Sequence, residues 1–256
     1  MEVMNPSSQT DRLEVKSTVE QIRTRFDADV ERFSNLETGQ SATIDAPLAM
    51  DLLTSAAVAS TQGAQSILDI GCGAGNYTLK MLQLCPGANV TVVDLSEPML
   101  ERAQERIQAS GQAGQIHCIQ ADVRDLKLPQ GSQDIIVAAA VLHHLRAAGE
   151  WRAVFAHLFD TLSAGGGLWV FDLVQAENER VQELMWARYG NYLSQFRDEA
   201  YRDQVFDYIE QEDSPRSLAF QLDVLERVGF RHAEVLHKVG PFAAFGAIKP
   251  EGGLSR

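Results

Sequence analysis

The sequence predicts an α/β fold built on a doubly wound, mostly parallel sheet, and two observations support this prediction. Short apolar or β-branched segments, typical of buried strands, alternate with longer segments whose apolar residues recur every three or four positions, as in helices. This alternation runs from Ile67 to Leu173. The first strand segment also ends in a glycine-rich turn directly before a helical segment, which is typical of small-molecule sites at the carboxyl edge of such sheets.

Seven strands are predicted in all. The first five are Ile67–Ile70, Val90–Asp94, Ile116–Val123, Asp134–Ala140 and Leu168–Asp172. The helices between them are predicted at Tyr77–Leu84, Pro98–Ala109 and Gly149–Leu162, with a turn at Ala164–Gly167 before the fifth strand. The closing elements are the helix Leu218–Val228 and the strands Ala233–Lys238 and Phe242–Ile248.

The rest of the chain is predicted to be largely helical. Apolar residues at helical spacing indicate one helix from Leu13 to Phe33, and a second is predicted from Leu48 to Ala59. The boundaries that we expect are residues 1–12 for a disordered tail, 13–60 for an N-terminal helical cap, 61–175 and 215–250 for the sheet domain, and 176–214 for a helical lid inserted after the fifth strand.

The glycine-rich turn contains Gly71, Gly73 and Gly75, and it follows Asp69, which we expect to order the turn within a cofactor site. Glycine allows positive φ angles and close approach of the backbone to a ligand. A dinucleotide-binding turn requires Gly-x-Gly-x-x-Gly, but Asn76 takes the third glycine position, which disfavours a dehydrogenase. The pattern Asp-x-Gly-x-Gly-x-Gly resembles instead the first motif of the class I S-adenosylmethionine-dependent methyltransferases.

Two further acids, Asp94 and Asp122, stand at the ends of the second and third strands. A carboxylate at the tip of the second strand can accept hydrogen bonds from both hydroxyls of a ribose. The resemblance implies that Asp122 accepts from the adenine amino group beside the backbone of Val123, and it adds Leu95 and Ala139 to the cofactor contacts. It also implies a Rossmann-like sheet with an antiparallel last strand, and S-adenosyl-L-methionine as the cofactor.

The candidate catalytic residues lie after the fourth strand and in the lid. His143 stands where the chain leaves the sheet beside the expected position of the donor methyl group, and imidazole can act there as a general base. A structural histidine that caps the next helix is the alternative. Arg188 and Tyr192 of the aromatic lid are predicted to shape the acceptor pocket, with simple packing on the sheet domain as their alternative role. The reaction expected is in-line displacement at the sulfonium methyl group.

The composition excludes several classes of function. The chain of 256 residues has a formal net charge of −13, which disfavours direct binding to the polyanionic nucleic acids. No apolar segment reaches the length of a membrane span, and the N-terminal residues do not resemble a signal peptide. The three cysteines lack metal-ligand spacing, so we predict no metal site, and reduced thiols favour a cytoplasmic location.

Within the methyltransferases, the layout of Phe26–Lys249 resembles the branch that contains carboxy-S-adenosylmethionine synthase. The resemblance depends on Phe33–Asn35, on the aromatic insert, and on Leu225–Phe230 and Phe242–Lys249. Arg188 is the nearest match by position to the insert arginine with which that branch holds a carboxylate. We predict methyl transfer to a small-molecule acceptor. A synthase-like enzyme in tRNA wobble-uridine modification and a donor-binding protein without turnover are the alternatives, and a homodimer is left open.

Overall fold

A seven-stranded sheet forms the centre of the computed structural model, which describes residues 16–35 and 41–252. Its strands are β1 (Ser66–Ile70), β2 (Asn89–Asp94), β3 (Ile116–Gln120), β4 (Gln133–Ala139), β5 (Leu162–Leu173), β6 (Arg231–Val239) and β7 (Phe242–Ile248). They lie in the order β3-β2-β1-β4-β5-β7-β6. Neighbouring strands from β3 to β5 are parallel, whereas β7 is antiparallel to β5 and β6. The predicted fold class, with its antiparallel last strand, is confirmed.

Helices cover both faces of this sheet. In the described residues they are α1 (Val19–Asp27), α2 (Val30–Ser34), α3 (Ala46–Ser60), α4 (Asn76–Leu84), α5 (Glu97–Ser110), α6 (Ala148–Thr161), α7 (Glu179–Phe196), α8 (Glu199–Glu212) and α9 (Leu218–Val228). A short 3₁₀ turn, Leu142–His144, follows β4. None of the helices in residues 16–35 and 41–252 is long and apolar enough to cross a bilayer.

Strand residues alternate between two apolar cores, one on each face of the sheet. Successive side chains of a strand point to opposite faces. In β1, Ile67 packs in the core that contains Leu53 of α3 and Met81 of α4, whereas Leu68 packs in the core that contains Trp151 of α6, and all of these side chains are fully buried. Burial on both faces explains why the strand segments are almost continuously apolar.

The strand order places a crevice at the carboxyl end of β1. The chain moves from β1 to β2 on one side and returns to β4 on the other side, so the loops after β1 and β4 diverge from each other. Ligands of open α/β sheets bind in the crevice at such a switch point.

The glycine run before the fifth strand belongs to β5 itself, so the predicted turn at Ala164–Gly167 is wrong. A Cβ atom on Gly167 would lie 2.5 Å from Nε1 of Trp169, and one on Gly166 would lie 2.7 Å from the carbonyl oxygen of Asp134. The glycines are therefore required by close packing, and the register of β4 with β5 shifts beside them, between Gln133 and Ile135.

The N-terminal helix predicted over Leu13–Phe33 is divided in the described residues into α1 and α2. Thr18 begins α1 through a capping box with Gln21, and the N–H of Ala28 closes it by donating to the carbonyl oxygens of Arg25 and Phe26. The start of the predicted helix and the tail of residues 1–12 lie outside the described residues. The division of the chain into cap, sheet domain and lid stays a prediction.

Candidate functional site

A cavity lies at the carboxyl ends of β1, β2 and β4, where the strand order predicts a crevice. The loops that follow these strands form its floor. The cap helix α1 and the insert helices α7 and α8 form the opposite wall. Of the predicted site residues, the cavity wall contains Gly71, Gly73, Asp94, Leu95, Asp122, Val123, Ala139 and His143.

The turn after β1 requires glycine for two physical reasons. Gly71, Gly73 and Gly75 have φ angles of 64°, 49° and 81°, which side chains rarely adopt. A Cβ atom on Gly71 would also lie 2.7 Å from the side chain of Val141, in the segment after β4. The turn is fixed by hydrogen bonds from the N–H groups of Gly71 and Cys72 to the carbonyl oxygen of Val93.

Asp69 and Gly75 lie just behind the cavity and do not line it. The buried carboxylate of Asp69 accepts hydrogen bonds from the backbone N–H of Thr78, at 3.1 Å, and from its hydroxyl group, at 2.6 Å. Burial raises the pKa of Asp69 to about 7, although the bonds from Thr78 oppose this shift. Asp69 thus connects β1 to α4, and Gly75 is the N-cap residue of α4.

Asp94 connects the end of β2 to the glycine turn. Its carboxylate accepts from the N–H of Gly73 and from the N–H of Ser96, each at 2.9 Å. Burial raises the pKa of Asp94, and these backbone hydrogen bonds oppose the rise. A carboxylate has about four lone-pair sites, so Asp94 keeps acceptor capacity for a ligand.

Asp122 is held by an arginine that the sequence analysis did not identify. Nε and Nη2 of Arg124 donate to the two carboxylate oxygens at 2.8 and 2.5 Å, and the N–H of Arg124 donates as well. Burial alone would raise the pKa of Asp122, but the hydrogen bonds from Arg124 lower it below its ordinary value. The carboxylate is therefore fixed and ionised at the cavity wall.

His143 lies between two buried aspartates that the sequence analysis also missed. Its Nδ1 contacts Oδ1 of Asp172, at the end of β5, and its backbone N–H donates to Oδ2 of Asp172 at 3.1 Å. On the other side, Nε2 lies 3.6 Å from Oδ1 of Asp213, which follows α8, and Nδ1 of His144 lies 3.3 Å from the same oxygen. Asp172 could have been found, because parallel neighbours β4 and β5 end at the same edge. Asp213 comes from a distant helix and carries no sequence signal.

The pKa values of this cluster are strongly shifted. Burial would lower the pKa of His143, but Asp213 and Asp172 outweigh it and raise the value to about 9. Burial, together with the neighbouring His143, lowers the pKa of His144 well below its ordinary range. Burial raises the pKa of Asp213 to about 6, even though His143 opposes the rise.

The cavity wall does not contain Arg188 or Tyr192, the two residues predicted from the lid. The hydroxyl group of Tyr192 donates to the carbonyl oxygen of Ser41 at 2.9 Å, outside the cavity. The insert contributes other residues of the same helices, namely Tyr189, Tyr208, Ile209 and Asp213. Neighbouring residues on a helix are about 100° apart, so Tyr189 can line the cavity while Arg188 and Tyr192 of the same helix do not.

The cap contributes Arg25 and Phe26 to the cavity wall. Nε and Nη2 of Arg25 donate to the carboxylate of Glu212, at the end of α8, at 2.8 and 2.5 Å. The guanidinium group also lies 4.3 Å from the ring centre of Phe26 and 5.1 Å from that of Tyr208. Cap and insert are thus joined over the cavity by an ion pair and aromatic contacts.

Comparisons with known proteins agree with this geometry. Residues 67–166 match a family described as a methyltransferase domain. An uncharacterised protein from Synechococcus sp. is 36% identical over 139 residues, which cover 53% of this chain and 33% of that protein, so the chain spans only about a third of that relative's length. A carboxy-S-adenosyl-L-methionine synthase from Klebsiella pneumoniae is 23% identical over 195 residues, 72% of this chain and 74% of the synthase.

Among solved structures, the magnesium protoporphyrin IX methyltransferase from Synechocystis with bound S-adenosylhomocysteine superimposes with a TM-score of 0.61. It is 18% identical, and the match covers 90% of this chain and 99% of the other. The glycine turn, the strand-end acids and the matched domain all lie within the same part of the fold. Residues 67–166 therefore match a methyltransferase domain, the sheet that contains them has the fold of the S-adenosylmethionine-dependent methyltransferases, and S-adenosyl-L-methionine is the cofactor that these comparisons indicate.

Proposed function

We propose that the chain transfers the methyl group of S-adenosyl-L-methionine to a small-molecule acceptor. The observation that carries the proposal is the position of the cavity, which joins the glycine turn on one side to a wall of cap and insert residues on the other. One half has the residue types of a nucleoside site, and the other half combines aromatic side chains with the charged cluster around His143. Two ligands can therefore meet in one cavity.

The donor is proposed to bind along the ends of β1, β2 and β4. Asp94 would accept from the ribose hydroxyls through the lone pairs that Gly73 and Ser96 leave open. Asp122 and the backbone of Val123 would contact the adenine, with Leu95 beside the ring and Ala139 at the end of β4. The Gly71–Gly75 turn would admit the methionine part. Asp69 would support this turn from behind.

The acceptor is proposed to bind under the cap and the insert. The side chains there include Phe26, Tyr189 and Tyr208, which suit a compact, partly apolar molecule. The N–H of Ser17 donates to the carbonyl oxygen of Gln211 at 2.9 Å, and this bond adds to the ion pair that joins cap and insert. An enclosed wall of this kind favours a small acceptor over a polymer.

Catalysis in this proposal depends mainly on positioning. The sulfonium already activates the methyl carbon, so aligning donor and acceptor can contribute on the order of 7–11 kcal/mol to lowering the barrier. His143 lines the acceptor side of the cavity, and Asp172 fixes its ring through Nδ1. His143 is therefore placed beside the proposed acceptor, but to act as a general base it would first have to lose the proton that its pKa of about 9 keeps on the ring at neutral pH.

A carboxy-S-adenosyl-L-methionine synthase-like activity is the second candidate, because the similarity to that synthase extends over 72% of this chain. It requires a cation for the carboxyl group. Arg188, the residue expected to supply this cation, does not line the cavity. Arg25, which lines the cavity, is already paired with Glu212. These contacts favour methyl transfer.

Mass spectrometry can distinguish methyl transfer, the synthase activity and donor binding without turnover. The purified protein is incubated with S-adenosyl-L-methionine and a panel of small hydroxyl, carboxyl and amine acceptors, and S-adenosylhomocysteine is quantified by mass spectrometry. Methyl transfer predicts acceptor-dependent S-adenosylhomocysteine. A nucleoside heavier by one carboxyl group would support the synthase alternative, and tight donor binding without any product would support a binding protein.

A further inference from the structure

We infer that His143, His144 and Asp213 form a binding site for a divalent transition-metal ion on the acceptor side of the cavity. Each of the three residues offers one ligand atom, and these atoms lie within 4.8 Å of one another. The ligand atoms that we assign are Oδ1 of Asp213 and the ring nitrogens that approach it, Nε2 of His143 and Nδ1 of His144. The sequence analysis predicts no metal site, because the cysteines lack metal-ligand spacing, and Asp213 is far from the two histidines in the chain. Folding brings it opposite the 3₁₀ turn after β4.

The distances fit a shared ion. Oδ1 of Asp213 lies 3.6 Å from Nε2 of His143 and 3.3 Å from Nδ1 of His144. Two ligand atoms bound to one Zn²⁺ at about 2.1 Å in tetrahedral geometry are about 3.4 Å apart. The site can therefore accept an ion with small side-chain adjustments.

Two of the ligand atoms have no hydrogen-bond partner in the described part of the chain. Oδ1 of Asp213 and Nδ1 of His144 are both inaccessible to solvent, and neither forms a hydrogen bond of good geometry, although they lie 3.3 Å from each other. An unpaired buried acceptor costs about 1–3 kcal/mol, so such atoms call for a missing partner. A cation would satisfy both of them at once.

Asp172 provides a further feature that is typical of metal sites, a carboxylate that orients a histidine ligand. Metal-bound histidines usually donate their other ring N–H to a carboxylate, which fixes the ring and makes it a better ligand. Asp172 contacts Nδ1 of His143 in this way and leaves Nε2 directed at Asp213. The N–H of Ser214 also donates to the carbonyl oxygen of His143 at 2.7 Å, which locks the two ligand segments together.

The local charge favours a cation. Asp172 and Asp213 are both buried at this cluster, and the neighbouring Arg25 is paired with Glu212. Two imidazoles and one carboxylate are a ligand set typical of Zn²⁺ and related ions, and three protein ligands leave a coordination position open, as in catalytic sites. Because the ligands line the cavity, that position faces the acceptor. A bound ion would lower the pKa of an acceptor hydroxyl group.

The metal site is an addition to the proposed methyl transfer, and metal binding can be measured without a methyl-transfer assay. Untagged full-length protein is stripped with a chelator, dialysed and titrated with Zn²⁺ by calorimetry, and Co²⁺ is used in parallel for its visible spectrum. We expect one equivalent of Zn²⁺ per chain and a four- or five-coordinate Co²⁺ spectrum. No stoichiometric binding at micromolar free Zn²⁺ would overturn the inference.

Variants identify the ligands. D213N and H144Q should each weaken Zn²⁺ binding by at least about 100-fold, and D172N by about 10- to 100-fold, as expected for a residue that orients a ligand. The matched control is D45N, since Asp45 also pairs with a histidine, His237, at 3.2 Å but outside the cluster. Wild-type Zn²⁺ affinity in folded D213N and H144Q would refute the assignment. Calorimetry with S-adenosylhomocysteine on stripped protein tests the donor site separately.

Discussion

Replacing Asp94 by alanine tests the proposed donor site at a single carboxylate. In the structure this carboxylate accepts from the N–H groups of Gly73 and Ser96, each at 2.9 Å, while it lines the cavity. The variant removes the proposed acceptor of the ribose hydroxyls. It also frees the N–H of Gly73, which then loses its fixed position in the glycine turn.

The magnitude follows from these hydrogen bonds. Leaving a buried polar group unpaired costs about 1–3 kcal/mol, which corresponds to about a 5- to 150-fold increase in the Kd of the donor. Asp94→Asn keeps one side-chain oxygen as an acceptor. We therefore expect the loss of affinity to be smaller in the asparagine variant than in the alanine variant.

The assay is calorimetric titration with S-adenosylhomocysteine, accompanied by thermal unfolding to confirm that each variant is folded. Asp223→Ala is the matched control, because Asp223 forms an exposed ion pair with Arg227 on α9 and does not line the cavity. Wild-type affinity in folded Asp94→Ala would refute the proposed position of the ribose. An equal loss in Asp223→Ala would show that the effect is not local.

Three further variants test the surroundings of the site. Gly71→Ala places a Cβ atom 2.7 Å from both Cβ and Cγ2 of Val141, so S-adenosylhomocysteine affinity should fall more than about tenfold, with partial recovery when Val141→Gly, which removes both atoms, is added. Normal binding by Gly71→Ala in calorimetry would contradict this prediction. The pKa of Asp69 is raised from 3.8 to about 7 in the folded protein, so its contribution to stability is present below about pH 4 and is lost as the pH rises to about 7. In urea unfolding between these pH values, the free energy of unfolding should decline less with pH in Asp69→Asn than in the wild type. Equal declines in the two proteins would argue against the raised pKa. Arg25→Ala leaves the buried Glu212 carboxylate unpaired and should lower the free energy of unfolding by about 1–3 kcal/mol, whereas the double variant with Glu212→Gln should recover part of it in a denaturant titration.

The sheet and the donor side of the cavity could be predicted from sequence because their signals are local. Buried strands such as Val90–Asp94 are continuous apolar runs, and the acid that ends each strand lies at the edge set by parallel pairing. The glycine turn is a local pattern whose conformation requires glycine at Gly71. The error at Ala164–Gly167 has a different origin, because Gly166 and Gly167 pack closely against neighbours such as Trp169 within β5, and only Gly165 has a positive φ angle, of 79°.

The acceptor side could not be predicted to the same extent because it is assembled from distant segments. His143 was found from its place after β4, but its partner Asp213 reaches it only through the packing of α8. In the same way, periodicity indicated an aromatic face on α7 without showing that Tyr189 faces the cavity while Tyr192 bonds to Ser41. The rotation of a helix about its own axis is set by tertiary contacts, which cannot be read from a single sequence.

The end of α8 contacts both the cap and the histidine cluster. Glu212 holds Arg25 of the cap, and the next residue, Asp213, faces His143 and His144. Glu212 and Asp213 are consecutive, so a movement of the backbone at the end of α8 would alter both contacts together. The cap and insert residues that line the cavity lie outside residues 67–166, the part matched by the methyltransferase domain. Under the proposed function, acceptor specificity would therefore depend on the cap and the insert, whereas the donor side would follow the shared fold.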